Sequence, residues 1–107
     1  MIALTVKSTE RINAVRFGVE VTLHNHDLIA DPDGMPMRPD TVTVVFTPNG
    51  SLAWAEVSGV AHFPGRAEDP RSRTSFKVGW GRSVPVGQAP ALVTDLVEQL
   101  RPIALNA

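Results

Sequence analysis

Two histidines and a carboxylate lie together where a predicted strand ends. His24 and His26 are separated by one residue, so in an extended chain both imidazoles point to the same side. Imidazole nitrogens bind Zn²⁺ and similar cations, and Asp27 would add an oxygen ligand. The spacing gives a candidate metal site at His24, His26 and Asp27. The alternative, two solvated histidines at a strand end, is favoured because His-x-His is a common chance occurrence.

Basic residues concentrate between positions 66 and 82, around Trp80. An aromatic ring among cations can stack on a nucleic-acid base. Trp80 shares its strand parity with Phe76 and Val78, however, which indicates a place in the core. The formal net charge of −1 also gives no general attraction to polyanions. The sequence therefore argues against a nucleic-acid partner. The candidate residues of such a surface are Arg71, Arg73 and Lys77.

Motifs of catalysis and nucleotide binding do not occur in the sequence. It contains no G-x-S-x-G, H-E-x-x-H, P-loop or G-x-G-x-x-G pattern. It has no cysteine, and therefore neither a thiol nucleophile nor a zinc–thiolate site. Asp31-x-Asp33-Gly34 is better explained as a turn than as a calcium loop, because the later bidentate glutamate is missing. We expect a protein without a cofactor, and we favour a non-catalytic one.

The clearest structural signal is a pair of strands that reverse at Asn49-Gly50. Residues 41–47 alternate with a period of two and are rich in β-branched side chains, which favours a strand. Asn-Gly suits a tight primed turn. The second strand, residues 51–63, has small residues at its odd positions and no clean polar face. Either both faces are covered there or a bulge lies near Gly59. The small residues would let the backbone of the C-terminal helix come close.

Three more strands, one helix and two loops are predicted around this hairpin. The strands are residues 2–7, 14–24 and 74–80, with a polar turn over residues 8–13. Residues 25–40 and 64–73 form irregular loops, the first long and the second charged. The helix spans residues 89–101 and presents a leucine stripe, and Pro102 is expected to end it. That stripe is formed by Leu92, Leu96 and Leu100.

These elements predict one α+β domain over residues 1–107. Five antiparallel strands would form a meander or a partly closed barrel, with the C-terminal helix packed on one face. No apolar run approaches the roughly 18 residues of a membrane span, and the first residues do not resemble a signal peptide. We expect a soluble, cytoplasmic protein without membrane contact.

The preferred function is a small protein-interaction module. An edge strand, residues 2–7 or 74–80, would pair with a protein partner or with a second copy, and a homodimer is the simplest version. If they are exposed, the side chains that would serve as apolar anchors for the partner are Val45, Leu52 and Trp54. One alternative is a small-molecule binder or enzyme with a pocket between sheet and helix, entered past residues 25–40. Nucleic-acid binding through residues 66–82 is the second alternative.

Overall fold

Six antiparallel strands and one helix make up the fold in a computed structural model, which describes residues 1–13, 16–79, 81 and 84–106. The sheet order is β1-β2-β4-β5-β6, with β3 beside the start of β4. A short 3-10 turn, Val86–Gln88, precedes α1. The sheet is open, and the predicted α+β class with a C-terminal helix is confirmed. The elements are β1 (Leu4–Asn13), β2 (Arg16–Leu23), β3 (Ile29–Ala30), β4 (Pro36–Phe46), β5 (Leu52–Ala61), β6 (Arg73–Val78) and α1 (Ala91–Leu105).

Alternating valines give the sheet one apolar face, here called the inner face. Val19 pairs with Val44 and Val21 with Val42 across β2 and β4, and all four are fully buried. Such cross-strand pairs of β-branched residues stabilise a sheet. Fully burying a side chain of this size contributes about 1.5–3 kcal/mol. The opposite face, the outer face, carries the intervening residues of both strands, such as the Glu20–Thr43 pair.

Helix α1 packs on the inner face over β2 and β4. Its leucine stripe is buried, with Leu96 and Leu100 fully so, which confirms the predicted packing of the helix on one face of the sheet. Arg101 ties the end of the helix to the hairpin, because its Nε donates to the carbonyl of Gly50 at 2.8 Å. At 15 residues, α1 is not long enough to cross a membrane, and no other helix in the described ranges is either.

The prediction that Pro102 ends the helix is wrong, because α1 continues through it to Leu105. A proline lacks the N–H that an interior helical position donates. The last turn nevertheless has contacts that hold it. Ala104 is buried in the core, and the Leu105 side chain lies over Gly50, where an added Cβ would come within 3.2 Å of it.

The central hairpin reverses where predicted, but its turn is of another type. Gly50 donates to the carbonyl of Thr47 at 3.0 Å, and Thr47 to that of Ser51 at 2.8 Å, which closes a three-residue loop. Gly50 has a φ of 83°, whereas Asn49 is not among the residues with positive φ. A primed two-residue turn needs positive φ at Asn49 as well. Pro48 favours the observed form, since its ring fixes φ near about −65° at the second position of a turn.

A bulge lies opposite Gly59, as the sequence suggested, but in the neighbouring strand. The register between β4 and β5 shifts between Pro39 and Thr41, so Asp40 is the extra residue. A Cβ on Gly59 would lie 2.1 Å from the carbonyl oxygen of Arg38. The backbone that approaches this glycine is therefore β4, and the expectation that α1 comes close there is wrong.

Two predicted irregular segments are partly strand. Residues 8–13 belong to β1, and β3 and the start of β4 lie within residues 25–40. Pro39 is tolerated in β4 because its nitrogen faces a gap: β3 pairs no further than Met37, and β2 begins to pair at Thr41. The predicted strand positions Ala14, Val15 and Trp80 lie outside the described residues, as does Arg82 of the basic segment.

Candidate functional site

At the start of the β1 edge, a side chain of α1 forms the hydrogen bonds that a neighbouring strand would form. His24 donates its backbone N–H to the carbonyl of Ala3 at 3.0 Å, so Ala3 turns its backbone groups toward β2. Successive residues of an antiparallel strand turn these groups alternately to the two sides. Those of Ile2 therefore point away from β2, where the side-chain amide of Gln99 meets both of them at 2.9 Å. The side chain of Gln99 closes the start of the edge.

Beyond this contact, backbone groups of β1 point outward from the sheet. The alternation places those of Leu4 and Val6 on the outward side. A bulge then adds one residue, Lys7, opposite Glu20 of β2 and reverses the parity. After it, Thr9 and Arg11 are outward. No strand in the described part of the chain pairs with these residues, since β1 has β2 alone as its neighbour. The outward residues are Leu4, Val6, Thr9 and Arg11.

The opposite edge, β6, is held at both ends by the rest of the chain. Val84 donates to the carbonyl of Lys77 at 3.0 Å and accepts from the N–H of Gly79 at 2.7 Å. At the other end, the Arg73 guanidinium donates to the Asp40 carboxylate at 2.8 Å. This hydrogen bond lowers the pKa of Asp40 below its usual value. Val84 therefore occupies the C-terminal end of the β6 edge, while the Arg73–Asp40 pair ties the side chain at the other end of the strand back to β4.

Exposed apolar side chains flank the β1 edge. Val6 is 36% exposed and Ile12 43%. Ile12 lies over Gly18 on the outer face, since a Cβ added there would meet its Cδ1 at 3.2 Å and a methyl of Val45 at 3.6 Å. Gly18 has no side chain and so makes room for Ile12, which lies near the buried Val45 and leaves part of its own apolar surface exposed at the edge.

The three predicted apolar anchors occupy different environments. Val45 is fully buried, so it presents no surface to a partner in this conformation. Leu52 is half-buried and packs against the core. Trp54 is half-buried and pairs with Val45 across β4 and β5, which places it on the outer face. Of the three, Trp54 alone is both partly exposed and on the outer face beside Val45.

The histidines of the candidate metal site point to separate partners. His24 lies 2.6 Å from the Thr5 hydroxyl through Nε2, and His26 lies 2.8 Å from the Asp27 carbonyl through Nδ1. Asn25 between them has a φ of 54°, which breaks the extended alternation on which the shared direction depended. In the described ranges, no three residues of the His, Cys, Asp and Glu types come close enough to hold a metal ion.

Each cation of the candidate nucleic-acid surface faces a carboxylate. Arg71 lies 3.2 Å from Asp69, and its hydrogen bond lowers the pKa of that carboxyl. Lys77 lies 3.8 Å from Glu56, and Arg73 pairs with Asp40. A phosphate would compete with these carboxylates for every one of the three cations. The electrostatics therefore do not favour a polyanion here.

A groove of 170 Å³ lies beside the turn between β3 and β4, with Pro32, Phe76 and Pro90 in its lining. Its position matches the predicted pocket mouth in residues 25–40. Pockets for small molecules usually measure roughly 300–1,000 Å³. This groove is smaller, and the space between α1 and the sheet is filled by the buried leucines. The predicted pocket between sheet and helix, entered past residues 25–40, therefore gains no support.

No family model matches the chain, and no curated protein or solved structure is similar enough to count as a match.

The second half of β1 is the part of this site that sequence reasoning missed. Residues 8–13 show no apolar alternation, because both faces of the edge strand are open to solvent over residues 8–12. One signal was available. Thr9, Arg11 and Ile12 include β-branched types that favour extended structure over a turn. The segment also has neither glycine nor proline to make a turn.

Proposed function

We propose that this protein is a non-catalytic protein-interaction module that accepts an added strand at the β1 edge. The observation that carries the proposal is the row of outward backbone groups at Leu4, Val6, Thr9 and Arg11. Unpaired N–H and C=O groups in a row are the template for strand addition, and their hydrogen bonds supply affinity regardless of the partner's sequence.

The contrast between the edges supports β1 rather than β6. The N–H of Gly79 and the carbonyl of Lys77 are already bonded to Val84. A strand arriving at β6 would have to displace this segment, whereas one arriving at β1 meets solvent. In strand addition, side chains beside the ladder supply specificity. At β1 these are the apolar Val6 and Ile12, together with the charged residues between them.

The test selects a library of random ten-residue peptides for binding to the protein. Peptides that bind the wild-type chain are then measured against a Thr9→Pro variant. Proline has no N–H and its ring obstructs a ladder, so we expect binding to fall at least tenfold when one central edge position is blocked. The N–H of Thr9 points away from β2, and the change therefore removes no bond within the sheet.

Ser75→Pro is the matched control, because Ser75 lies on the outward parity of β6. The same change on the other edge should leave peptide affinity intact. Equal loss with Ser75→Pro, or a library that yields no peptide sensitive to Thr9→Pro, would contradict strand addition at β1. Circular dichroism of both variants separates lost binding from lost folding.

A further inference from the structure

The outward groups of β1 are self-complementary, and this follows from the bulge. With Lys7 as the extra residue, Val6, Thr9 and Arg11 occupy every second ladder position of the outward side. Thr9 is at the centre, with Val6 and Arg11 one repeat away on either side. Without the bulge, residues 6 and 11 would have opposite parity and could not both face a partner.

We propose that the added strand is β1 of a second copy of this chain, paired antiparallel about Thr9. The inference rests on the proposed function and names the partner of the same edge. Thr9 pairs with the partner's Thr9, and Val6 pairs with the partner's Arg11. The outward positions Val6, Thr9 and Arg11 are then satisfied in both copies by a single two-fold axis, which is the usual symmetry of homodimers.

The charges of β1 favour this register. In it, the bulge at Lys7 faces the partner's Glu10. Both side chains lie on the outer face, since Glu10 pairs with Gly18 there and Lys7 lies 3.1 Å from Glu20 of the same face. Two Lys7–Glu10 pairs form in each dimer by symmetry, and each Lys7 then lies between two carboxylates. Opposite charges across a ladder stabilise it.

Two other symmetric registers bring like charges together. Pairing about Glu10 sets two carboxylates opposite each other, and pairing about Lys7 sets two ammonium groups opposite each other, each of which is unfavourable. Lysines and bulges commonly guard edge strands against indiscriminate pairing. In β1, Lys7 and the bulge at this residue disfavour pairing with an arbitrary strand. They are compatible with a second β1 paired about Thr9, because Lys7 then faces Glu10. Such a combination supplies specificity as well as attraction.

The remaining structure leaves room for the second copy. Helix α1 packs over β2 and β4, and its Gln99 meets the edge at Ile2, ahead of the outward residues of β1. Val6, Thr9 and Arg11 are exposed. The sheets of the two copies would therefore continue into each other, with both helices on the same side.

The principal experiment exchanges charges between two variants. Glu10→Lys places two lysines at each contact of a homodimer, and Lys7→Glu places two glutamates there. Each variant alone is expected to dimerise about tenfold more weakly than the wild type, since two pairs change sign in each dimer. An equimolar mixture restores both opposite-charge pairs in a heterodimer. Analytical ultracentrifugation should show the mixture dimeric at concentrations where each variant is monomeric.

The second experiment uses the fact that the chain has no cysteine. Thr9→Cys places one thiol at the two-fold axis, where the Cα atoms of a bonded pair are about 5.5 Å apart. This distance lies within the roughly 4.4–6.8 Å range of disulfides. We expect rapid oxidation to a covalent dimer. Ser75→Cys, exposed on the other edge, is the control and should cross-link much more slowly.

The outcomes separate this inference from the proposed function. A wild-type chain that is monomeric throughout, or a dimer that ignores the charge exchange and cross-links equally at both cysteines, overturns self-pairing. If peptides selected from the library still bind in a Thr9-dependent way, strand addition stands and the partner is another protein. If that binding is also absent, both proposals are wrong.

Discussion

The two edges of the sheet have the same backbone chemistry but different surroundings. At β6, Val84 and the Arg73–Asp40 pair hold the strand at its two ends. At β1, the Gln99 amide bonds the backbone groups of Ile2. Beyond Ile2, the outward backbone groups of the strand have no neighbouring strand among the described residues. A strand added at β6 would therefore compete with Val84, whereas beyond Ile2 the β1 edge has no such competitor among the described residues. The position of the candidate site is decided by where the fold stops supplying its own hydrogen-bond partners.

The largest effect is expected from breaking the closure of β6 at Gly79. This residue has a φ of 80°, and an added Cβ would lie 2.8 Å from the carbonyl oxygen of Ala53. Gly79→Ala therefore combines a left-handed conformation with a backbone clash, and we expect the free energy of unfolding to fall by about 3 kcal/mol. Urea denaturation measures the loss, and hydrogen exchange at Val84 shows whether the edge has opened.

Gly34→Ala is the matched control for this change. Gly34 has nearly the same φ, 82°, but nothing lies within 4 Å of an added Cβ. It should lose about 1–2 kcal/mol, which is the conformational cost alone. Equal losses at the two glycines would mean that the close approach at β6 does not contribute.

A smaller effect is expected at the start of β1, where Gln99 donates to and accepts from Ile2. Gln99→Leu removes both hydrogen bonds and should lower the free energy of unfolding by about 1–2 kcal/mol. Gln99→Glu keeps the acceptor and loses the donor, so it should fall between. Thermal unfolding gives the ranking, and amide exchange of Ile2 reports the opened edge. Leucine and glutamate variants with identical losses would contradict a two-sided contact.

The smallest effect concerns the tie between Asp40 and Arg73. The hydrogen bond from Arg73 lowers the pKa of Asp40 below its usual value of 3.8, so the unfolded chain binds this proton more readily than the folded one. The pair therefore stabilises the fold above the unfolded pKa and loses its effect as the pH falls through the folded pKa. For an exposed pair we expect less than about 1 kcal/mol.

Comparison of the wild type with Asp40→Asn tests this pH dependence. The wild type should be slightly more stable at pH 7, and the difference should vanish in acid because a protonated carboxyl resembles an amide. Unfolding free energies measured at a series of pH values give the curve. A difference that stays constant into acid would show that Arg73 does not act through the charge of Asp40.

The sequence predicted those elements in which the spacing of apolar residues matches the face that is buried. The valines of β2 and β4 alternate because one face is dry, and the leucines of α1 recur because one stripe is buried, so both patterns were visible. The central reversal was also placed correctly, although Pro48 changed its type. In each case a local pattern was sufficient because the tertiary contacts reinforce it.

The missed parts depend on tertiary contacts that leave no local pattern. Residues 8–13 extend because β2 pairs with them, although residues 8–12 are exposed. Pro39 lies in a strand because of a gap between two neighbours, and Pro102 in a helix because Ala104 and Leu105 anchor the turn beyond it. The candidate site was partly foreseen: the first strand was named as an edge, but its bulge and outward parity require the pairing with β2.

The shared edge of β4 has a consequence for engineering. Along one side, β4 pairs first with β3 and then with β2, and Asp40 lies in the gap between the two neighbours. The turn from Asp31 to Met35 therefore connects to a part of β4 that does not pair with β2. Gly34 in this turn has open space around it. A foreign sequence inserted there should leave the β2–β4 ladder and α1 undisturbed, which makes the turn a suitable graft position for a reporter peptide.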